Sequence, residues 1–431
     1  MRFGDEKMSE VPIKPELLAP LNNWKTLSDQ MGVLDNADAV YFGIRGNFSM
    51  RGRAGNFSPA ELPKLMDLIH SKGKKGYLAT NTIIFNEELV ELHQLMALAK
   101  DNKVDAVICH DIATVMIAKK VGIPFHISTQ ANISNNVSAS FYESLGAQRL
   151  ILARELSLEE ISSIAKTITV PIECFVHGAM CTAISGRCYF SAELMGNDSN
   201  FSANRGLCIQ PCRRYYQLVG EENEKIEFEP SSGMFFNAKD LCMIEYIPEL
   251  LHAGVKAFKI EGRMRDPMYI GETTSCYREA IDAFFEKTYN VEKFSSWISR
   301  LSTVFNRGFH TGFYFSRPSP NEIEREARGS TSAWHKKWVG KVKNYYKQAN
   351  AVEVQLSSGQ IKIGHELIFE NSNDYYYQQP ALSIQINDKP VKMTPIASAE
   401  NHILVGIKVK QPVPINADLY IFVKRENIEE S

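Results

Sequence analysis

The stretch Pro171-Ile172-Glu173-Cys174-Phe175-Val176-His177-Gly178-Ala179-Met180-Cys181 decides the reading of this chain. It begins as a short apolar run of β character and turns polar at its C-terminal end, as a strand does when it is buried on both faces and opens into a site loop. The loop runs on through Ser185-Gly186-Arg187-Cys188 to Leu207-Cys208-Ile209-Gln210-Pro211-Cys212. Five of the eight cysteines therefore fall between Glu173 and Arg214.

Seven further runs have the same character: Glu16–Pro20, Ala39–Ile44, Lys75–Thr80, Ala106–His110, Phe125–Thr129, Arg149–Ala153 and Ala257–Glu261. Between several of them lie segments of helical period, Pro59–Ser71, Glu87–Lys100 and Ser157–Lys166. Eight β/α units imply a parallel sheet, and the expected fold is an α/β (β/α)8 TIM-type barrel with a long cysteine-rich insertion after strand seven. An open doubly wound sheet has the same periodicity. From Trp338 onward short alternating runs separated by turn signals predict a small C-terminal all-β barrel. The expected domains are thus residues 1–320 for the barrel with its cysteine site, 321–337 for a charged linker and 338–431 for the β domain, with residues 1–14 as a loose lead-in.

With 48 basic and 50 acidic residues the net charge is −2, so any polyanion must be met by local patches. No apolar run approaches membrane-spanning length and no signal-peptide core stands at the N-terminus, which predicts a cytoplasmic protein without a membrane partner. In a reducing compartment clustered cysteines point to metal or redox chemistry rather than disulfides. Cys181 and Cys188 enclose six residues, and Cys208 and Cys212 three. Paired zinc hooks are spaced otherwise, whereas iron-sulfur clusters tolerate varied thiolate spacing; zinc and unligated thiols stay open on spacing alone.

A barrel brings the polar residues at its strand ends to one mouth: Arg45, Asn81, His110, Asp111, Gln130, Arg154, Glu155, His177, Glu261 and Arg263. Arginines suit phosphates and dicarboxylates because the guanidinium fork pairs two oxygens at once, and Arg45, Arg51, Arg53 and Arg263 are the candidate substrate-binding residues. Glu173, His177 and Glu261 are candidates for proton transfer. For the glutamates, buried ion pairing is an equal alternative.

The segment ECFVHGAMCTAISGRC at Glu173–Cys188 closely resembles the signature of the collagenase-like peptidases, family thirty-two of the peptidases of unknown mechanism. The resemblance extends to FSMRGRAGNF at Phe48–Phe57, STQANISN at Ser128–Asn135, LARELSLEEI at Leu152–Ile161, AKDLCMIEYIPEL at Ala238–Leu250 and KIEGRMR at Lys259–Arg265. It implies an oxygen-independent hydroxylase carrying a 4Fe-4S cluster, most similar to a branch that forms 5-hydroxyuridine at the wobble position of tRNA with a prephenate-type small carboxylate as oxygen donor. By motif the cluster ligands would be Cys181, Cys188, Cys208 and Cys242, with Cys212 as rival for the fourth place. The alternatives are hydroxylation of ribosomal RNA and a collagenase-like peptidase; for the latter, Cys181 with His177 is the plausible nucleophile pair.

Overall fold

A computed structural model describes residues 13–216, 233–327, 329–372 and 374–425; most of the expected lead-in lies outside them. The chain divides into two units, one of residues 1–22 and 33–331, the other of residues 23–32 and 332–431.

Among the described residues the first unit holds ten strands: β1 (Glu16–Pro20), β2 (Ala39–Phe42), β3 (Lys75–Thr80), β4 (Ala106–Cys109), β5 (Phe125–Ile127), β6 (Arg149–Ile151), β7 (Ile172–Ala179), β8 (Asp240–Cys242), β9 (Ala257–Ile260) and β10 (Phe309–His310). β1 to β7 pair in parallel in chain order, and β9 pairs in parallel with both β7 and β1. Those eight strands close the expected barrel. Their residues are apolar and buried almost throughout, because helices such as Leu62–Ser71, Leu89–Asp101 and Leu158–Ala165 cover the outside. Gly76 in β3 makes room for Met66 of the first of these: a Cβ there would stand 2.8 Å from its sulfur.

The long connection after β7 contains β8, which runs antiparallel to the end of β7, with His177 opposite Cys242 and Ala179 opposite Asp240. β10 then pairs in parallel with β8. β7 serves two neighbours in succession, β9 along its first half and β8 along its second. The register slips between Phe175 and His177, and this bulge ends strict side-chain alternation at the barrel mouth.

The second unit is an antiparallel sheet in the order β14-β13-β18-β11-β12-β17-β15-β16. Its strands are β11 (Trp334–Tyr346), β12 (Ala351–Leu356), β13 (Glu366–Glu370), β14 (Tyr376–Pro380), β15 (Ile384–Ile386), β16 (Lys389–Pro390), β17 (Ile403–Lys408) and β18 (Asp418–Lys424). Val339, Val352, Val354, Leu367, Phe369, Ile407 and Leu419 build its core. The segment expected as a linker over 321–337 is divided: Ile323 bridges to Ala238 in the first unit, and β11 already begins at Trp334. Residues 23–32, which no sequence pattern singles out, belong to the β unit. There the Gln30 carboxamide donates to Gln378 O at 2.8 Å and accepts from Gln378 N at 2.7 Å, satisfying the edge strand β14 as a neighbouring strand would.

Candidate active site

At the C-terminal mouth of the barrel lies a cavity of about 120 Å³ whose lining includes Tyr41, Arg51, Asn81, Gln130, Arg154, Phe175, Lys259, Glu261 and Arg263. The Cys181–Cys188 loop and residues Cys208, Pro211 and Cys212 complete its wall. A barrel directs exactly this set inward because the strand ends and the loops after them share one face. Polar groups fix the wall: the Asn81 carboxamide accepts from Met50 N at 3.1 Å and donates to Ser128 Oγ at 3.0 Å, and Asn132 Nδ2 donates to Ser185 O at 3.0 Å. Gln130 Oε1 and Arg154 Nε are buried without a hydrogen-bond partner. Such groups are costly unless something completes them, which marks this cavity as a ligand site.

Arg51 has a positive φ of 66° and donates from Nε to Glu261 Oε1 at 3.0 Å. Burial raises the Glu261 carboxyl, but Arg51 and then Arg154 outweigh it and hold the group down to about 2. Glu261 is therefore an anion fastened to the mouth rather than an acid. Lys259, one turn of the strand deeper, is the functional candidate that sequence reading missed. Its Nζ lies 4.4 Å from the Tyr41 ring centroid and donates to Glu173 Oε1 at 2.9 Å, and burial pulls its value down. In KIEGRMR it stands two residues before Glu261 and four before Arg263, both of which follow the end of β9 at Ile260.

Glu173 lies below the cavity, fully buried, between Lys259 and Arg149 Nη1 at 2.9 Å. Burial raises its carboxyl, and the two cations more than offset this, down to about 2. His177 does not face the cavity. Strict alternation would place it with Glu173 and Phe175, but the bulge turns it outward among Tyr269, Tyr277 and Phe309, 5.9, 5.5 and 5.7 Å away between ring centroids. Burial and then the Arg265 charge hold its ring down to about 3, so it is a neutral packed imidazole and not the partner of Cys181.

Among the candidate arginines, Arg51 and Arg263 line the cavity and Arg45 and Arg53 do not. Arg263 is a clamp: its guanidinium donates to Ser49 Oγ and Met50 O at 2.8 Å and to Asn56 Oδ1 at 2.6 Å, fixing the loop after β2. Arg53 donates to Leu207 O and Asn200 O, both at 3.0 Å, and the exposed Arg45 reaches only Gly55 O at 3.5 Å. Asp111 caps the helix Ile112–Val121 through Ala113 N at 2.8 Å.

Of the five cysteines considered, Cys181, Cys188, Cys208 and Cys212 line the cavity together. Cys242 does not join them. It sits buried in β8, where the Tyr277 hydroxyl approaches its sulfur at 3.9 Å and burial pushes its thiol up to about 12. Cys212, the other candidate, lines the cavity wall with Cys181, Cys188 and Cys208. Burial also raises the Cys208 and Cys212 thiols, with Arg51 lowering the first, Arg213 the second, and the neighbouring cysteines raising both. Cys208 Sγ further accepts from Gln210 N at 3.2 Å, the kind of contact that tunes a cluster sulfur. Among the described residues no three His, Cys, Asp or Glu side chains gather closely enough for a single metal ion. Soft thiol donors of this kind are ligands that iron-sulfur clusters and zinc share.

The model of peptidase family U32 matches residues 24–324. The chain belongs to that family. It is 35% identical over 423 residues to a Porphyromonas gingivalis protein named collagenase, covering 95% of this chain and 98% of that one. A Bacillus subtilis tRNA hydroxylation protein is 33% identical over 347 residues, covering 79% and 80%. An Escherichia coli 23S rRNA 5-hydroxycytidine synthase is 33% identical over 299 residues, covering 68% of this chain and 44% of that protein. This U32 chain is thus similar to proteins named for RNA hydroxylation and to proteins named for proteolysis, and no helix among its described residues is long and apolar enough to cross a membrane.

Proposed function

We propose that this U32 protein is a cytoplasmic, oxygen-independent tRNA hydroxylase that forms 5-hydroxyuridine at the wobble position, with a 4Fe-4S cluster held by Cys181, Cys188, Cys208 and Cys212. The single observation that carries the reading is the gathering of those four thiols on one wall of a mouth cavity whose other walls present Arg51, Arg154 and Lys259. The cluster supplies one-electron redox chemistry. The protein's own residues do the rest. Gln130 Oε1 and Arg154 Nε offer an unmatched acceptor and donor to a planar, hydrogen-bonding ligand. Arg154 and Lys259 are the cations for a small carboxylated oxygen donor of the prephenate type. Glu261 keeps Arg51 aimed at the thiols, and apolar Ile108, Ile151 and Phe175 exclude water.

A base stacked in an anticodon loop does not reach a recessed cavity, so the nucleotide is extruded at a cost of roughly a few kcal/mol, offset by phosphate contacts. The likeness to the Porphyromonas gingivalis protein over its full length favours a second reading, a peptidase. That reading has lost its expected base, since His177 turns away from Cys181. Nucleoside mass spectrometry of tRNA and rRNA from a deletion strain decides among the readings. Loss of a 5-hydroxyuridine derivative from tRNA is the expected result; loss of a hydroxylated cytidine from rRNA moves the substrate to the ribosome, and unchanged nucleosides reject hydroxylation.

A further inference from the structure

The loop that carries Cys181 and Cys188 is pinned, yet it presents bare groups to solvent. Asn132 Nδ2 donates to Ser185 O at 3.0 Å and Cys188 N donates to Asn204 Oδ1 at 3.0 Å, so the backbone is held on both sides of Arg187. Ser185, Gly186, Cys188 and Phe190 line the mouth cavity, while Arg187 and Tyr189, which alternate with them, are exposed.

Phe190 packs on Tyr216 and Phe236, with ring centroids 5.4 and 5.8 Å away, and the side chain before it is left on the outside. Tyr189 is 73% exposed, more than any other Phe, Tyr or Trp among the described residues. Its ring meets no other ring or cation among them. Phe85, in the loop after β3, is also exposed, but there the Arg205 guanidinium stands 5.0 Å from the ring centroid. The guanidinium of Arg187 forms no hydrogen bond or ion pair with a described residue. It does face the strand ends: burial, and with it the Arg187 charge, lowers the His110 ring just beyond β4.

A single exposed ring is ordinary on a protein surface. This one stands on the loop that walls the mouth cavity, one residue from Cys188 and two from an unpaired cation. Extrusion of a nucleotide into that cavity takes a stacking partner away from the base beside it. A ring fixed at the lip replaces that partner, and a guanidinium next to the ring meets a phosphate of the same strand. We propose that Tyr189 is the stacking platform for the base that neighbours the extruded nucleotide, with Arg187 as its phosphate contact. This role rests on the proposed function, since the ring has no such partner without a nucleotide in the cavity.

The test is binding of a fluorescein-labelled anticodon stem-loop RNA, with uridine at the wobble position, to the full-length chain, read by anisotropy at several salt concentrations. Tyr189→Ala is expected to weaken binding at least about fivefold, the lower end for one lost stack, with Tyr189→Phe close to wild type. Arg187→Gln should reduce the slope of log affinity against log salt by about 0.7, the share of one phosphate in a single strand. Iron, sulfide and melting temperature should match wild type in all three variants, because neither side chain has a partner to lose. Wild-type affinity in Tyr189→Ala refutes the platform and leaves the hydroxylase reading to the nucleosides of the deletion strain. Affinity lost in step with iron and sulfide overturns it in favour of a prop for the cysteine loop. A change of oligomeric state by light scattering, with RNA affinity unchanged, overturns it in favour of a contact between copies of the chain. Absence of RNA binding by the wild type overturns it as well, and the deletion-strain nucleosides again judge hydroxylation separately.

Discussion

Lys259 of β9 donates to Glu173 of β7 at 2.9 Å inside the barrel, and Glu173 also accepts from Arg149 at 2.9 Å, which in turn reaches Glu16 at 2.7 Å. One chain of alternating charge thus joins the cavity floor to the opposite end of the barrel.

Lys259→Met removes a cation from that chain and leaves Glu173 buried with half its partners. Breaking a buried pair costs about 3–5 kcal/mol, and the urea midpoint is expected to fall accordingly. Glu173→Gln combined with Lys259→Met should recover a large part, because no uncompensated carboxylate remains. A single Lys259→Met variant as stable as wild type would show that the network contributes nothing.

His126 of β5 is buried against Tyr77, with ring centroids 4.7 Å apart, and burial followed by the Arg149 charge holds it down to about 3. The folded ring stays neutral while the unfolded one takes up a proton near its ordinary value of about 6.5. Its contribution to stability is complete above that pH and is lost as pH falls from about 6.5 toward 3, at up to about 1.4 kcal/mol per pH unit. Urea denaturation between pH 7 and 4.5 should show a shallower decline for His126→Phe than for wild type. Parallel pH profiles would contradict this.

The barrel was legible because each strand is a short apolar run flanked by helical period, a pattern that burial on both faces imposes. The site was legible only in part, and the reasons are particular. His177 looks inward-facing by alternation, and the bulge between Phe175 and His177 that reverses it has no signature in Phe175-Val176-His177. Cys242 resembles a ligand by motif, but β8 is three residues long and its pairing with β7, which fixes where the thiol points, is non-local. Lys259 was hidden by its type: a lysine in an apolar run reads as a strand end, and only closure of the barrel shows that it is an interior residue. Residues 23–32 carry no period at all, and their place in the β unit depends on a side chain, Gln30, acting as a strand.

The cysteine assignment gives a sharp contrast. In protein purified without oxygen, Cys181→Ser, Cys188→Ser, Cys208→Ser and Cys212→Ser are each expected to lose most iron and sulfide, because a hard hydroxyl replaces a soft thiolate. Cys242→Ser should keep both near wild type and cost only stability, since its thiol packs against Tyr277. Iron loss in Cys242→Ser with retention in Cys212→Ser would reverse the assignment.

Arg263 and Arg51 line one cavity but should behave differently. Arg263→Ala abandons three hydrogen bonds to Ser49, Met50 and Asn56 at a residue that is 2% exposed, so its main effect is expected on folding, of order 3 kcal/mol or more by melting and urea. Arg51→Lys keeps a cation near Glu261 and should fold normally while lowering nucleoside hydroxylation. Equal stability losses in the two variants would refute the division between clamp and site residue.

Gly186 supports the cavity wall by its lack of a side chain. Its φ is +73°, and a Cβ there would lie 2.6 Å from Gln130 Oε1. The same wall is tied by Asn132 Nδ2 to Ser185 O at 3.0 Å, so the loop has little freedom to retreat and the carboxamide is what must move. Gly186→Ala therefore meets two penalties, about 1–2 kcal/mol for a left-handed non-glycine residue and the displacement of Gln130 from the cavity. The expected phenotype is a modest drop in melting temperature with a larger loss of hydroxylation, and with iron reduced because Cys188 is two residues away. Adding Gln130→Ser removes the steric conflict but not the backbone strain, so the double variant should regain iron without regaining the full melting temperature. Wild-type iron and activity in Gly186→Ala would mean that Gln130 is free to leave the wall and plays no part in the site.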